Sequence, residues 1–246
     1  MDRMLYVAMT GAAQTLLAQA ANTHNLANAT TTGFRADLEA FRAMPVFGYG
    51  YPSRVYAMSE RPGVNFAPAA VTATGREMDV AVNGEGWIAV QGPDGREAYT
   101  RAGDLRLGPN GQLVNGAGHP VLGENGPIAV PQNEKFEIAV DGTITIKPTG
   151  QSATSLTTLD RIKLVNPPKG DLVKGSDGLM CLQDGQPAPA DANVRLIGGS
   201  LEASNVNAVE AMVDMITLSR QFELQVRAMR TTQEDDQSAA QLLRIS

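Results

Sequence analysis

Two histidines, one cysteine and one tryptophan are the side chains in this sequence best suited to metal, redox or ligand chemistry. His24 falls in a helical stretch and His119 stands beside Pro120 in a turn, so no zinc-ligand spacing links them. A lone Cys181 excludes an internal disulfide framework and a cysteine-based zinc site; within "LMCLQ" it is predicted to be a small buried hydrophobe. Trp87, in "NGEGWIAV", runs on into Ile88 and Val90, a strand pattern that makes it a core residue behind a glycine turn rather than a ligand-stacking platform. "GPDG", "GPNG" and "GSDG" lack the closely spaced carboxylates and bidentate glutamate of a calcium loop and are predicted to be plain turns. Glu234, Asp235 and Asp236 fit the solvated face of a helix. The sequence holds no nucleophile-elbow, zinc-protease or P-loop pattern. The expectation is a protein that is not an enzyme, with no catalytic residue, no metal and no cofactor.

The elements that would position a site follow a helix–β–helix pattern, an α+β chain. Its 246 residues suffice for one or two domains. From Leu5, 3-4 spacing gives Leu5, Met9, Ala12, Leu16, Gln19, Thr23 and Leu26, a weak coiled-coil seam. At the other end Ala208, Met212, Met215, Ser219, Phe222, Val226 and Met229 repeat the spacing, which continues through Gln233, Asp236 and Ala240 to Leu243. Asn207 with Glu210 three residues on predicts a capping box and a helix over 207–243. Between the helices, turn signals separate short β-prone runs such as "WIAVQ", "EAYTR", "RIKLV" and "VRLIG". "FEIAVDGTITIK" predicts a hairpin with a type I′ turn at Asp141-Gly142. The expected division is a terminal helical domain (1–41 with 201–246, the helices forming an antiparallel coiled coil), an extended connector (42–75), and an all-β sandwich or irregular barrel (76–200).

Between Arg3 and Arg35 no Asp, Glu, Lys or Arg occurs. A surface helix normally carries charge on its wet face. Buried charge is costly, whereas amides and small side chains pack closely, so this helix is expected to be enclosed by other helices. The chain supplies one; the rest must come from other molecules. Residues 4–21 have a signal-peptide look, with "AQA" as a cleavage-like site, but Thr10, Gln14 and Thr15 interrupt the apolar run and the helical period continues, so a retained helix is expected. Gln14, Gln19, Asn22 and Asn25 argue against membrane insertion. A net charge of −6 with no basic run argues against nucleic-acid binding.

"HNLANATTTGFRAD" (His24 to Asp37) resembles the signature of flagellar rod and hook proteins, with His24 where Asn is usual and Arg35 where Lys is usual. Met78 to Gly123 resembles the family's β segment and Gly198 to Gln225 its C-terminal signature, in the expected order. The opening "MDRMLYVAMTGA", the length and the single middle domain are most like proximal-rod members; distal-rod members are the alternative. The resemblance implies terminal helices forming the inner tube of a helical polymer with the β domain around them. It implies a torque-bearing basal-body rod spanning the periplasm, and export by the flagellar type III apparatus without a cleaved signal peptide. The implied partners are other flagellar rod and axial proteins, through the terminal helices. The assembly interface is then expected at Leu5, Met9, Leu16, Asn22, Asn25, Leu26, Asn28, Thr32, Gly33 and Phe34, and at Ser204, Asn205, Asn207, Met212, Met215, Phe222, Val226 and Met229. Substituting Gly33 or Phe34 is expected to block assembly more than β-domain folding, and the charges at Arg35 and Asp37 to mark where the chain leaves the packed tube. Rival readings are a secreted β-rich adhesin or enzyme, which cleavage after Ala20 would favour, and a self-contained trimeric coiled coil.

Overall fold

The computed structural model describes residues 4–45, 55–131, 133–148 and 157–245, and the chain is α+β. It divides into two units: Met1–Ala29, Ala36–Gly63 and Val206–Ser246 form the first, Thr30–Arg35 and Val64–Asn205 the second. The short Thr30–Arg35 segment, expected with the helices, therefore belongs to the β unit.

In the first unit, helix α1 (Met4–Ala27) packs along helix α2 (Ala208–Ile245). Asn207 caps α2 as predicted, its Oδ1 accepting from Val209 N at 3.1 Å and Glu210 N at 3.3 Å. Asn22 Nδ2 donates to Ala211 O at 2.6 Å, while Gly11 faces the Gln225 side chain, so the helices run in opposite directions.

The seam between them is not the one the large apolar residues suggested. On α1 the buried face is Ala8, Gly11, Ala12, Thr15, Ala18 and Ala21. Leu5, Met9 and Leu16 lie on a different, exposed face. On α2 the covered positions include 208, 211, 215, 218, 222, 225, 229, 232 and 236, a 3-4 repeat, with 219, 226 and 228 half-buried beside it. Of the expected positions, Ala208, Met215, Ser219, Phe222, Val226, Met229 and Asp236 are covered at least in part, while Met212, Gln233 and Ala240 are exposed, Met212 giving way to the buried Ala211 and Gln233 to the buried Thr232. Close packing explains the choice. A Cβ on Gly11 would stand 3.0 Å from Gln225, so the axes approach where side chains are smallest. Leu243, the expected end of the repeat, lies outside the residues described at side-chain level.

Asp37–Pro45 and Val55–Val64 pair as a two-stranded sheet that starts in the span expected with the helices (1–41) and continues into the expected connector (42–75). Ser59 ties this ribbon to α1 and to itself: its N–H donates to Gln14 Oε1 at 2.8 Å and its hydroxyl to Glu39 Oε2 at 2.6 Å. The aromatic stretch 46–54 lies outside the described residues.

The β unit is built from small sheets. The largest has five strands, in the order Leu164–Val165, Trp87–Gln91, Glu97–Thr100, Met180–Leu182, Leu172–Lys174. A three-stranded sheet orders Asn133–Ile138, Thr143–Pro148, Thr157–Arg161. The described strands do not close a barrel. Alternate residues of the strands turn inward onto one core that includes Val80, Ile88, Val90, Leu105, Leu113, Ile144, Ile162 and Leu196. A second cluster gathers around Trp87, Tyr99 and Met180, so Trp87 is a core residue as expected. Cys181 packs half-buried against the main core, and burial pushes its thiol pKa up.

The predicted hairpin is present with a different turn. Gly142 has φ +88°, but Asp141 is not left-handed, so a type I′ turn is excluded. Gly142 N donates to Ala139 O at 2.9 Å and Ala139 N to Thr143 O at 2.9 Å, which is a three-residue loop with a glycine bulge. Asp141 Oδ1 accepts from Thr143 N at 3.1 Å, an Asx bond that favours this loop over the tighter one.

Candidate assembly sites

The Thr32-Gly33-Phe34 turn is held by the β unit rather than left open. Gly33, at φ +67°, donates its N–H to Glu202 O at 2.8 Å. A Cβ there would lie 2.3 Å from Ala102 N and from Arg101 C, so only glycine fits. Phe34 is buried, with Lys174 Nζ 3.9 Å above its ring centroid. Phe34 O accepts from Asn205 N at 3.3 Å, and Asn205 Nδ2 donates to Asn65 O and Ala67 O at 2.7 and 3.1 Å. The two sequence signatures, 171 positions apart at Phe34 and Asn205, thus meet through backbone and amide bonds.

Beneath this turn lies a buried ion triad that sequence spacing did not reveal. Arg35 Nη2 reaches Glu202 Oε1 at 2.5 Å and Arg101 Nη1 reaches Glu202 Oε2 at 3.0 Å. All three side chains are at most 8% exposed. Ala69 N donates to Glu202 Oε1 at 3.1 Å, Arg101 Nη2 to Gly84 O at 2.7 Å, and Lys174 Nζ to Arg35 O at 2.7 Å. Arg35, expected where the chain leaves the packed tube, stands in the segment assigned to the β unit, and its side chain is buried there. Its charge is enclosed because a carboxylate 167 residues away waits for it.

Burial alone would raise the Glu202 pKa, but the hydrogen bonds from Arg35 and Ala69 and the two guanidinium charges outweigh it, and the group sits below its ordinary value of 4.5. A carboxylate with a depressed folded pKa contributes stability that is complete above 4.5 and lost as pH falls through the folded value. The β unit is expected to lose stability from pH 4.5 downward, read as a falling denaturation midpoint, and Glu202→Gln should flatten that part of the profile.

In the helical unit the amides are already engaged. Asn25 makes a two-bond clasp with the Asp37 backbone, Nδ2 to O and Oδ1 from N, both at 2.9 Å. Asn28 Nδ2 donates to His24 O at 2.9 Å. His24 Nδ1 lies 3.0 Å from Asp37 Oδ2, a partner 13 residues on and past the end of α1, which local spacing could not announce. Among the predicted interface residues, Asn22, Asn25, Asn28, Gly33, Phe34, Asn205 and Asn207 thus serve intrachain bonds; Thr32, Ser204 and Leu26 are half-buried. Met215, Phe222, Val226 and Met229 are half-buried along α2. Leu5, Met9, Leu16 and Met212 stay exposed. With Tyr6, Leu17, Val209, Val213, Ile216 and Leu224 they leave both helices presenting large apolar side chains.

One unit of helices with open apolar faces and another of tightly bonded strands, with no catalytic or metal cluster among the described residues, have the make-up of a structural protein. Residues 81–146 match the family described as flagellar hook protein FlgE/F/G D1 domain, and 197–242 that described as flagellar basal body rod FlgEFG protein C-terminal. The chain is 43% identical to the flagellar basal-body rod protein FlgF of Escherichia coli and 42% to that of Salmonella typhimurium, each over the whole of both chains. It is 29% identical to the rod protein FlgG of Buchnera aphidicola over 89% of this chain and 91% of that one. The chain belongs to the flagellar basal-body rod protein family, as a FlgF-like structural member.

Proposed function

We propose that this chain is a proximal-rod subunit that polymerises through its terminal helices, as coiled coils, with other rod and axial proteins into the shaft transmitting motor torque across the periplasm to the hook. The higher identity to FlgF than to FlgG favours the proximal over the distal position. Export through the flagellar type III apparatus, with α1 retained, goes with that reading.

One observation carries it: Tyr6, Met9, Leu16 and Leu17 on α1, and Val209, Met212, Val213, Ile216 and Leu224 on α2, are 49–71% exposed. Covering the half or so of each that is still exposed is worth roughly 1–2 kcal/mol, a large summed driving force left unused within the chain. An open, heterologous contact between such faces repeats into a helix instead of closing into a ring. The small-residue seam suits this arrangement, since it spends little of the large apolar surface on the intrachain pair.

Leu16→Glu tests it. Leu16 is outside the intrachain seam, so helix content by circular dichroism should match the parent chain. Cells carrying the variant should be non-motile, with the subunit absent from purified basal bodies. Normal motility would sink the proposal.

A further inference from the structure

Beside the ion triad lies a cavity of about 370 Å³ lined by Arg35, Phe66, Pro68, Trp87, Arg101 and Lys169, among others. Its charges do not balance. The Arg35 and Arg101 side chains are 3% and 8% exposed and share one carboxylate, Glu202. Each guanidinium also keeps a buried N–H without an acceptor, Arg35 Nη1 and Arg101 Nε. Desolvation pulls the Arg101 pKa below its ordinary value, so the buried positive charge is held at a cost. Lys169 at the rim is paired with Glu85 at 2.6 Å; Glu85 also acts on Arg101 through space, but as an exposed carboxylate already shared with Lys169 it leaves the cavity net positive. The remaining wall is mostly apolar, Asn166 apart: the Trp87 and Phe66 rings meet edge to face at 6.2 Å, Pro68 and Pro167 also line it, and Arg101 stands 5.4 Å from the Trp87 centroid.

We propose that this cavity receives an acidic side chain from a neighbouring rod subunit, its carboxylate against the two arginines and its methylenes against Trp87 and Phe66. A guanidinium is a planar donor fork matched to a carboxylate, and a second carboxylate would neutralise the net charge that Glu202 leaves. A compact inorganic anion would satisfy the arginines but leave the aromatic wall wet, so a peptide-borne carboxylate fits the whole lining better. Naming a rod subunit as the source rests on the function proposed above; the cavity's preference for an acidic peptide does not.

Trp87 is the chain's sole tryptophan, so its fluorescence reports on the cavity without background from other indoles. The full chain is titrated with a capped five-residue alanine peptide carrying glutamate at its centre, and with the same peptide carrying glutamine. Saturable change with the glutamate peptide only is expected. Glu85→Gln removes the competing rim carboxylate and should tighten binding about two- to fivefold, the range of exposed charge pairs. Arg101→Met should abolish binding; because it also disturbs the triad, Glu85→Gln is the deciding variant. Equal response to the glutamine peptide, an equal response to sodium phosphate at matched ionic strength, or no tightening in Glu85→Gln overturns the cavity. A chain that binds the glutamate peptide yet is absent from purified basal bodies overturns the rod subunit as its source.

Discussion

Glu202→Ala is expected to destabilise the β unit by about 3–5 kcal/mol, the cost of removing one partner from a buried ion pair. Two guanidinium groups would then be enclosed with no counter-charge, and Ala69 N would lose its acceptor. The effect should exceed that of deleting any solvent-exposed pair, such as Arg42–Glu60, whose side chains are 64% and 41% exposed and which is worth at most about 1 kcal/mol. Urea denaturation followed by Trp87 fluorescence measures it directly, because Arg101 stacks on that indole. Glu202→Gln keeps the shape and part of the hydrogen bonding, so its loss should be smaller. A midpoint unchanged in Glu202→Ala would show that the triad is not what holds the turn.

Gly33→Val should be the second most damaging single change. Two costs combine there. A left-handed backbone strains any residue with a Cβ by about 1–2 kcal/mol. The Cβ would also stand 2.3 Å from main-chain atoms of Arg101 and Ala102, which cannot move aside as a flexible side chain can. Gly75 separates the two: it has φ +72° with nothing within 4 Å, so Gly75→Ala should show the strain alone. The expected result is a urea midpoint lowered clearly more by Gly33→Val than by Gly75→Ala, together with loss of motility. The expectation from sequence is a larger effect on assembly than on β-domain folding; the placement of Thr30–Arg35 in the β unit adds a folding cost to it. Phe34→Asp belongs with it: the ring is buried under Lys174, so the change strikes the same packing. Equal effects of Gly33→Val and Gly75→Ala would refute the steric account.

What the sequence determined by itself was whatever depends on neighbours along the chain. Asn207 caps α2 because its side chain needs to reach only two and three residues ahead. The strands and their turns were legible for the same reason, since alternation and glycine placement act within a few residues. The absence of charge from Arg3 to Arg35 was likewise a local fact with an assembly meaning. The loop at Asp141-Gly142 marks the edge of that legibility: the hairpin was right, but an Asx bond to Thr143 and one left-handed residue chose the turn.

Tertiary structure decided everything that requires distant residues to compete for the same space. Sequence periodicity favours the largest apolar side chains as a seam, yet the helices approach on Ala8, Gly11, Thr15 and Ala18, because small residues let two backbones come close and leave Leu16 and Met212 outward. Nothing in the spacing of Arg35, Arg101 and Glu202 signals that they share one buried site. An ion triad needs only that three side chains end within about 3 Å, and with 167 residues between its outer members that distance is set by the fold alone.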